Sequence, residues 1–230
     1  MKVEIWSDIV CPFCYIGKRK FENALNSFGQ KDKVEIVWRS FQLDADLVQI
    51  KGQSVDEYLA IRKGTTLEKG KEMNAYMAGV AKEVGLNYNF DIAIINNTLN
   101  AHRLSHLAIK FGVQNNIEEA LFDAYYTKGK DIGDVETLTK IGVDTGLNKV
   151  NIDAMFATNE YSEAVRMDQY EAQQIGVQGV PFFVFNNKFA VSGAQPTDVF
   201  KEILEKAWED EKPVVTEMPE GFCSIDGICN

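Results

Sequence analysis

Two cysteines separated by two residues, Cys11-Pro12-Phe13-Cys14, fall where a strand pattern hands over to a helix pattern. The run before them, Val3 to Val10, is rich in apolar residues, and residues 2–10 read as a buried strand. From Pro12 to about Phe28 apolar residues recur at helical spacing, with Cys14, Phe21, Leu25 and Phe28 on one stripe. Cys14 is therefore predicted to face the core. Cys11 is predicted to be an exposed thiol at the helix start, where free backbone N–H groups and the positive end of the helix dipole stabilise a thiolate. Pro12 suits the first helical turn, because its missing N–H would have no partner there. Strand, exposed thiol, two residues, buried thiol and helix are the parts that thiol–disulfide exchange requires: one sulfur attacks and the second expels the product. C-x-x-C can also be half of a four-ligand zinc site, or a pair of reduced packing cysteines. The strand before it and the helix after it favour redox chemistry.

A second strand pattern runs from Lys33 to Leu43, with Val34, Ile36 and Trp38 alternating. Strand, helix and strand at this spacing form a βαβ unit with parallel pairing. Helical patterns then fill residues 44–174. Ser54-Val55-Asp56-Glu57 and Thr65-Thr66-Leu67-Glu68 both have capping-box spacing, so helices are predicted to open at Ser54 and Thr65, the second closing near Gly85. Further helices are predicted over Asn97 to Phe111, Ile117 to Lys128 and Asp134 to Thr145, and over Asp153 to Gln174 as two helices or one kinked one. The β pattern returns after Gly176-Val177-Gln178-Gly179-Val180-Pro181. Phe182 to Phe185 is a buried strand, Asn186-Asn187 a tight turn, and Phe189 to Val191 the return strand. Pro196 opens a last helix with Val199, Phe200, Ile203, Leu204 and Ala207 as its apolar stripe. Pro213 and Pro219 then mark a tail that carries Cys223 and Cys229.

The stretches SDIVCPFCYIGKRKFE, NTLNAHRLSHLA and GVQGVPFFVFNNKFAVSGAQP, with the cysteine-bearing tail, resemble the DsbA family of thioredoxin-fold proteins, and within it the FrnE-like branch. The resemblance implies an α/β, thioredoxin-like fold (β-α-β … β-β-α) with a large inserted all-helical domain. Residues 1–43 and 175–212 would form the discontinuous thioredoxin-like domain, 44–174 the helical insertion and 213–230 the tail. It also implies a cis Val180–Pro181 bond beside the C-x-x-C, leaving the Val180 backbone free to pair with an extended substrate. Read from residues alone, the default for Pro181 is a trans proline starting an edge strand. On the resemblance, Cys11 is the nucleophile, Cys14 the resolving thiol, and Pro12, Phe13 and Val180 meet the substrate. Strongly oxidising members carry histidine where Phe13 stands. Phe13 can neither donate a hydrogen bond nor bring positive charge to the Cys11 sulfur. A less oxidising pair, with isomerase or reductase activity, is the expectation. Five residues separate Cys223 from Cys229, around an Asp226-Gly227 turn, so their closure is geometrically easy. A loop that small adds only about 2 kcal/mol, which suits a redox relay or regulatory disulfide better than a staple. The resemblance favours the relay, since FrnE-like proteins use a second C-terminal cysteine motif. A four-cysteine zinc site shared with the first pair and a tail of idle thiols are the alternatives.

His102 and His106 lie one helical turn apart, a metal-compatible spacing, but no third ligand accompanies them and they read as packing or surface histidines. Arg103 is expected to anchor the insertion to the core. Trp6, Asp8 and Tyr15 flank the cysteines. Asp8 is a weak candidate to take the Cys14 proton, and Phe13 and Tyr15 are candidates for an apolar substrate surface, or for ordinary packing. With 24 basic against 34 acidic residues the net charge is −10, which argues against nucleic acid or an anionic membrane as main partner. No apolar run approaches membrane-spanning length, and Met1 leads directly into strand with no leader pattern. The expectation is a cytoplasmic protein, unless a leader was removed. Its expected partners are proteins with disulfides or dithiols, served by glutathione or a thioredoxin-type reductant, with no cofactor and no metal, as monomer or homodimer. Two other functions compete. Kappa-class glutathione transferases and their isomerase relatives are similar in fold and insertion, but they carry serine at the position of Cys11 and lack the second cysteine. A non-enzymatic zinc-holding or chaperone-like module is the other.

Overall fold

The computed structural model describes residues 1–211. Strand β1 (Lys2–Ser7), helix α1 (Pro12–Ser27) and strand β2 (Glu35–Ser40) come first. Helices α2 (Val55–Lys63), α3 (Leu67–Glu83), α4 (Leu99–Ile109), α5 (Gln114–Tyr126), α6 (Val135–Asp144), α7 (Lys149–Phe156) and α8 (Ser162–Gln174) follow. Strands β3 (Phe182–Phe185) and β4 (Phe189–Ser192) and helix α9 (Thr197–Glu211) complete the described chain. The sheet order is β2-β1-β3-β4, with β1 and β2 parallel and the other two pairs antiparallel. This is a thioredoxin core with a large helical insertion between β2 and β3. Cys223 and Cys229 lie outside the described residues.

Side-chain alternation gives the sheet two apolar faces. On one, α1 and α9 pack together over an aromatic cluster in which Phe183 lies 5.6 Å from Phe21 and 4.7 Å from Phe200. On the other, Trp6, Phe182 and Val184 meet Ala172 and Val177. The hairpin turn needs left-handed backbone at Asn186 and Asn187 (φ 51° and 54°), which asparagine tolerates. Asn186 also accepts from Lys2 N–H at 2.9 Å and donates to the Ala207 carbonyl at 3.1 Å, tying the turn to β1 and α9.

Both N-terminal strands are shorter than the pattern suggested. Cys11 N–H bonds the Asp8 carbonyl at 3.0 Å and turns the chain after Ser7, while Lys31–Lys33 is a 3₁₀ turn that delays β2. The capping box at Ser54 forms, with Glu57 N–H on Ser54 Oγ at 3.1 Å and Ser54 N–H on Glu57 Oε2 at 2.8 Å. The next helix is capped by Thr66, not Thr65. Thr65 N–H is taken by the Ala60 carbonyl at 2.9 Å as α2 ends on left-handed Gly64, so Thr65 belongs to that stop. The span from Asp153 to Gln174 is indeed two helices, parted by left-handed Tyr161 (φ 66°), the first of them beginning at Lys149.

Helix α4 is central: every residue from Ala101 to Ala108 is buried, polar ones included. Phe111, the expected last residue of this helix, is exposed because the helix ends at Ile109. Arg103 does not reach the thioredoxin core. Its guanidinium donates to the Met155, Thr158 and Glu160 carbonyls at 2.6, 2.6 and 2.8 Å, closing the α7–α8 corner within the insertion. The insertion is joined to the core by other groups. His106 Nε2 lies 3.1 Å from Ser40 Oγ and 3.0 Å from Asp168, which also binds Arg39. The Gln114 side chain accepts from Trp38 N–H at 3.0 Å and donates to the Trp38 carbonyl at 2.9 Å, covering the free edge of β2 as another strand would.

Glu118 is buried in this joint, with Ser105 donating to it at 2.5 Å. Burial pushes its carboxyl pKa up, only partly offset by Ser105 and by His102, Lys18 and His106. A carboxyl whose pKa is raised on folding lends stability at low pH that is lost as pH rises through the raised value. Glu118→Gln keeps an acceptor for Ser105 without the ionisation. The variant is expected to melt above wild type at pH 8 and to converge with it at pH 4, as read by calorimetry across that range.

Candidate active site

Cys11 is the N-cap of α1, with extended backbone (φ −85°, ψ 112°) and Pro12 as the first helical residue. Cys14 N–H bonds the Cys11 carbonyl at 3.0 Å, which brings the second thiol back under the first. Both cysteines are free thiols. The Val180–Pro181 bond is cis, and the Cys11 thiol donates to the Val180 carbonyl at 3.4 Å. The structure therefore brings Cys11, Cys14, Val180 and Pro181 together.

Cys11 is not the exposed thiol the sequence suggested: only 4% of it is accessible. Val180 covers it on one side. The helical insertion comes close on another, where the Tyr88 hydroxyl donates to the Pro12 carbonyl at 2.7 Å. Tyr88 stacks on Tyr126 at 4.1 Å, and Tyr15 stacks on Phe122 at 4.8 Å. Tyr15 is thus buried packing rather than substrate surface, its hydroxyl donating to Glu119 at 2.6 Å. Phe13 is 47% exposed and borders a groove of about 380 Å³ with Val180, Pro181, Ser192 and Ala194.

Cys14 is fully buried, and burial pushes its thiol pKa well up, reinforced by the hydrogen bond and charge of Cys11. The Ser7 hydroxyl and the Asp8 backbone N–H work the other way. The Asp8 carboxylate accepts from Leu43 N–H at 2.7 Å and lies 3.3 Å from His102 Nε2, so it serves the joint with α4. Among the described residues no cluster of three or more His, Cys, Asp or Glu side chains could hold a metal ion.

Gly17 was not singled out by the sequence, although a glycine inside a helix pattern is a signal of close approach. A Cβ there would stand 2.9 Å from Pro181 Cγ and 3.5 Å from Ala194, so only glycine lets the cis-proline loop sit against α1. Gly17→Ala sets a helix-propensity gain of about 1 kcal/mol against overpacking of about 1–3 kcal/mol. The expected result is a small change in melting temperature with about a tenfold loss of exchange rate, because the displaced loop carries Val180. Calorimetry and reduction of a disulfide peptide read the two separately.

The second site motif is the clamp beneath α1. Lys18 is buried yet pairs with Glu22 and Glu119, each at 2.6 Å, and Arg19 reaches Glu119 at 2.6 Å. Despite its own partial burial, Glu119 is held below the usual carboxylate range by Lys18, Tyr15 and Arg19. This fixes α1, and with it the thiols, against α5.

A dithiol at a helix N-terminus facing a cis-proline, on a thioredoxin core, defines a thiol–disulfide oxidoreductase. Residues 2–205 match the DSBA-like thioredoxin domain, and the chain belongs to this family of DsbA-like oxidoreductases. It is similar in structure to a probable DsbA oxidoreductase of Streptomyces coelicolor (36% identity, TM-score 0.85, covering 99% of this chain and 97% of that one). The Bacillus subtilis uncharacterized protein YwbO is 26% identical over 212 residues, 91% of this chain and 96% of its own length. The cytosolic disulfide reductase DsbM of Pseudomonas aeruginosa shares the fold at 14% identity (TM-score 0.63, covering 91% of this chain and 99% of that one). No helix among the described residues is long and apolar enough to cross a membrane.

Proposed function

We propose that the protein exchanges disulfides with extended polypeptide segments, as a reductase or isomerase of the FrnE-like kind, working in a reducing compartment. Cys11 is the nucleophile, Cys14 the resolving thiol, and Pro12, Phe13, Val180 and Pro181 form the substrate edge. The observation that carries this reading is the Cys11 thiol resting on the carbonyl that precedes a cis-proline. No hydrogen bond among the described residues occupies the Val180 N–H, so a substrate strand can pair there. The Val180 carbonyl is held by the Cys11 proton until that thiol ionises, which couples substrate pairing to activation of the nucleophile. Phe13 gives the reduced pair no charge or donor, which supports a potential below that of members with histidine there. Cys223 and Cys229 are proposed as a second redox pair, on the resemblance alone. Glutathione or a thioredoxin-type protein would return the site to its working state.

Equilibration in glutathione buffers of stepped potential tests the reading, with alkylation of free thiols and mass mapping of all four cysteines. The expected result is a reversible Cys11–Cys14 disulfide with a midpoint near the cytosolic glutathione poise. A midpoint far above it would make the protein an oxidant instead. Absence of any Cys11–Cys14 disulfide would remove the exchange reading.

A further inference from the structure

A hydrogen bond from the helical insertion reaches inside the C-x-x-C motif: the Tyr88 hydroxyl donates to the Pro12 carbonyl at 2.7 Å. Tyr88 follows α3, in the segment that leads to α4, and is 7% exposed. Its ring is held on several sides, stacked 4.1 Å from Tyr126 and 6.1 Å from Tyr15 and set edge-on to Phe90 at 5.7 Å. The next backbone N–H, that of Asn89, bonds the Tyr126 carbonyl at 2.7 Å. Packing therefore aims the hydroxyl at Pro12. Burial raises the Tyr88 phenol pKa most. Cys11, Cys14 and Tyr15 add to this and Arg19 opposes it, so the phenol keeps its proton as a donor.

The carbonyl it meets belongs to the peptide group that joins Pro12 to Phe13, and the other end of that group is the Phe13 N–H. Cys11 is the N-cap of α1, so Pro12, Phe13 and Cys14 are its first three residues. An N-cap side chain accepts from the N–H of the second or the third of them. The third is spent, since Cys14 N–H bonds the Cys11 carbonyl at 3.0 Å. The second, the Phe13 N–H, has no acceptor among the described residues. The neutral thiol does not use it, because its own proton rests on the Val180 carbonyl at 3.4 Å. Once that proton leaves, the sulfur is an acceptor at the N-cap position, and the Phe13 N–H is the amide placed to meet it. A hydrogen bond accepted by a peptide carbonyl polarises the whole group and makes its N–H a stronger donor.

We propose that Tyr88 is a positioning residue for the nucleophile: its hydroxyl holds and polarises the Pro12–Phe13 peptide, so that the Phe13 N–H supports the Cys11 thiolate. The helical insertion thereby acts on Cys11 through the backbone, where the Phe13 side chain offers neither donor nor charge.

This rests on the exchange reading above. In that reaction the Cys11 thiolate forms a bond to one sulfur of a substrate disulfide. The substrate S–S bond breaks, and its other sulfur leaves with the electron pair and takes a proton from solvent. Tyr88 gives up no proton in this step. It stabilises the charge that Cys11 carries before the attack.

Tyr88→Phe removes the hydroxyl and keeps the ring in its stack, so the fold should persist. Tyr126→Phe is the matched control. It removes a buried hydroxyl from the ring stacked on Tyr88, and that hydroxyl has no partner among the described residues. Alkylation of Cys11 in the folded, reduced protein is followed across pH by mass mapping. For Tyr88→Phe the rate at pH 7 is expected to fall about threefold, the scale of a modest weakening of one charge-assisted hydrogen bond. No fall is expected on the plateau reached at high pH, and attack on a disulfide peptide at pH 7 should slow by a similar factor. Tyr126→Phe should follow the wild-type profile. A tether that only held the insertion in place would behave otherwise, because its loss would uncover Cys11 and raise alkylation at every pH. That outcome would overturn the proposal, as would a Tyr88→Phe profile indistinguishable from wild type. An equal fall in both variants would also overturn it, by tracing the effect to the tyrosine cluster rather than to the bond on Pro12. These rates need no disulfide within the protein. The wild-type glutathione titration is read separately, and its failure would remove the exchange reading while the alkylation profiles still decide the role of Tyr88.

Discussion

Cys11→Ser is expected to abolish disulfide exchange, by about a thousandfold or more, while Cys14→Ser keeps the first step and stalls at the second. The asymmetry follows from where the two sulfurs lie. Cys11 caps α1 and touches the Val180 carbonyl of the cis-proline loop, whereas Cys14 is wholly buried. Burial is the main reason the Cys14 thiol titrates well above its ordinary value, so it is a poor nucleophile until a mixed disulfide at Cys11 presents it with a partner. Each single variant leaves one thiol of the motif, and they should differ sharply. At neutral pH, Cys14→Ser should alkylate at position 11 and accumulate a mixed disulfide with a substrate peptide, visible as one added mass. Cys11→Ser should do neither, its remaining Cys14 staying unmodified until the protein is unfolded. Equal alkylation of the two variants in the folded state would contradict the assignment of nucleophile and resolving thiol.

The chemistry was largely legible in the sequence because it is local. Strand, C-x-x-C and amphipathic helix are contiguous, and helical spacing alone put Cys14 inside. What the sequence missed depends on chain segments that meet only in the fold. The resemblance put Val180 beside the motif, but nothing near Cys11 announces that the thiol is buried there or that Tyr88 of the insertion reaches the Pro12 carbonyl. Arg103 was legible as an anchor, but its three carbonyl acceptors lie in the α7–α8 corner, a turn created by left-handed Tyr161 that no residue-type rule would select. Helix α4 shows the same limit in another form. The spacing left its histidines as packing or surface residues, and the fold decides it: His102, Arg103, Ser105 and His106 are all buried, each facing a partner from elsewhere in the chain.

Asp168→Ala is expected to cost about 3–5 kcal/mol of stability, a large share of a domain's usual total of about 5–15 kcal/mol. Asp168 stands on α8, 2% exposed, where β2, α4 and α8 meet. One carboxylate oxygen accepts from Arg39 at 2.9 Å, and the other accepts from Ser40 N–H at 2.8 Å and lies 3.0 Å from His106. Its removal leaves a buried amide, a buried imidazole and a guanidinium short of partners at once. The loss should depend on pH. Burial alone would raise the Asp168 pKa, but His106, the Ser40 amide and Arg39 outweigh it and hold the carboxyl below its ordinary value. A carboxyl depressed on folding adds stability that is present above its unfolded pKa, near 4, and is lost as pH falls through the folded value. The gap between wild type and Asp168→Ala in urea titrations should therefore be widest near pH 7 and narrow toward pH 3. Asp168→Asn, which keeps an acceptor for Ser40, should fall between the two at pH 7. A gap independent of pH would mean that the charge on Asp168 contributes nothing and that the loss is one of packing alone.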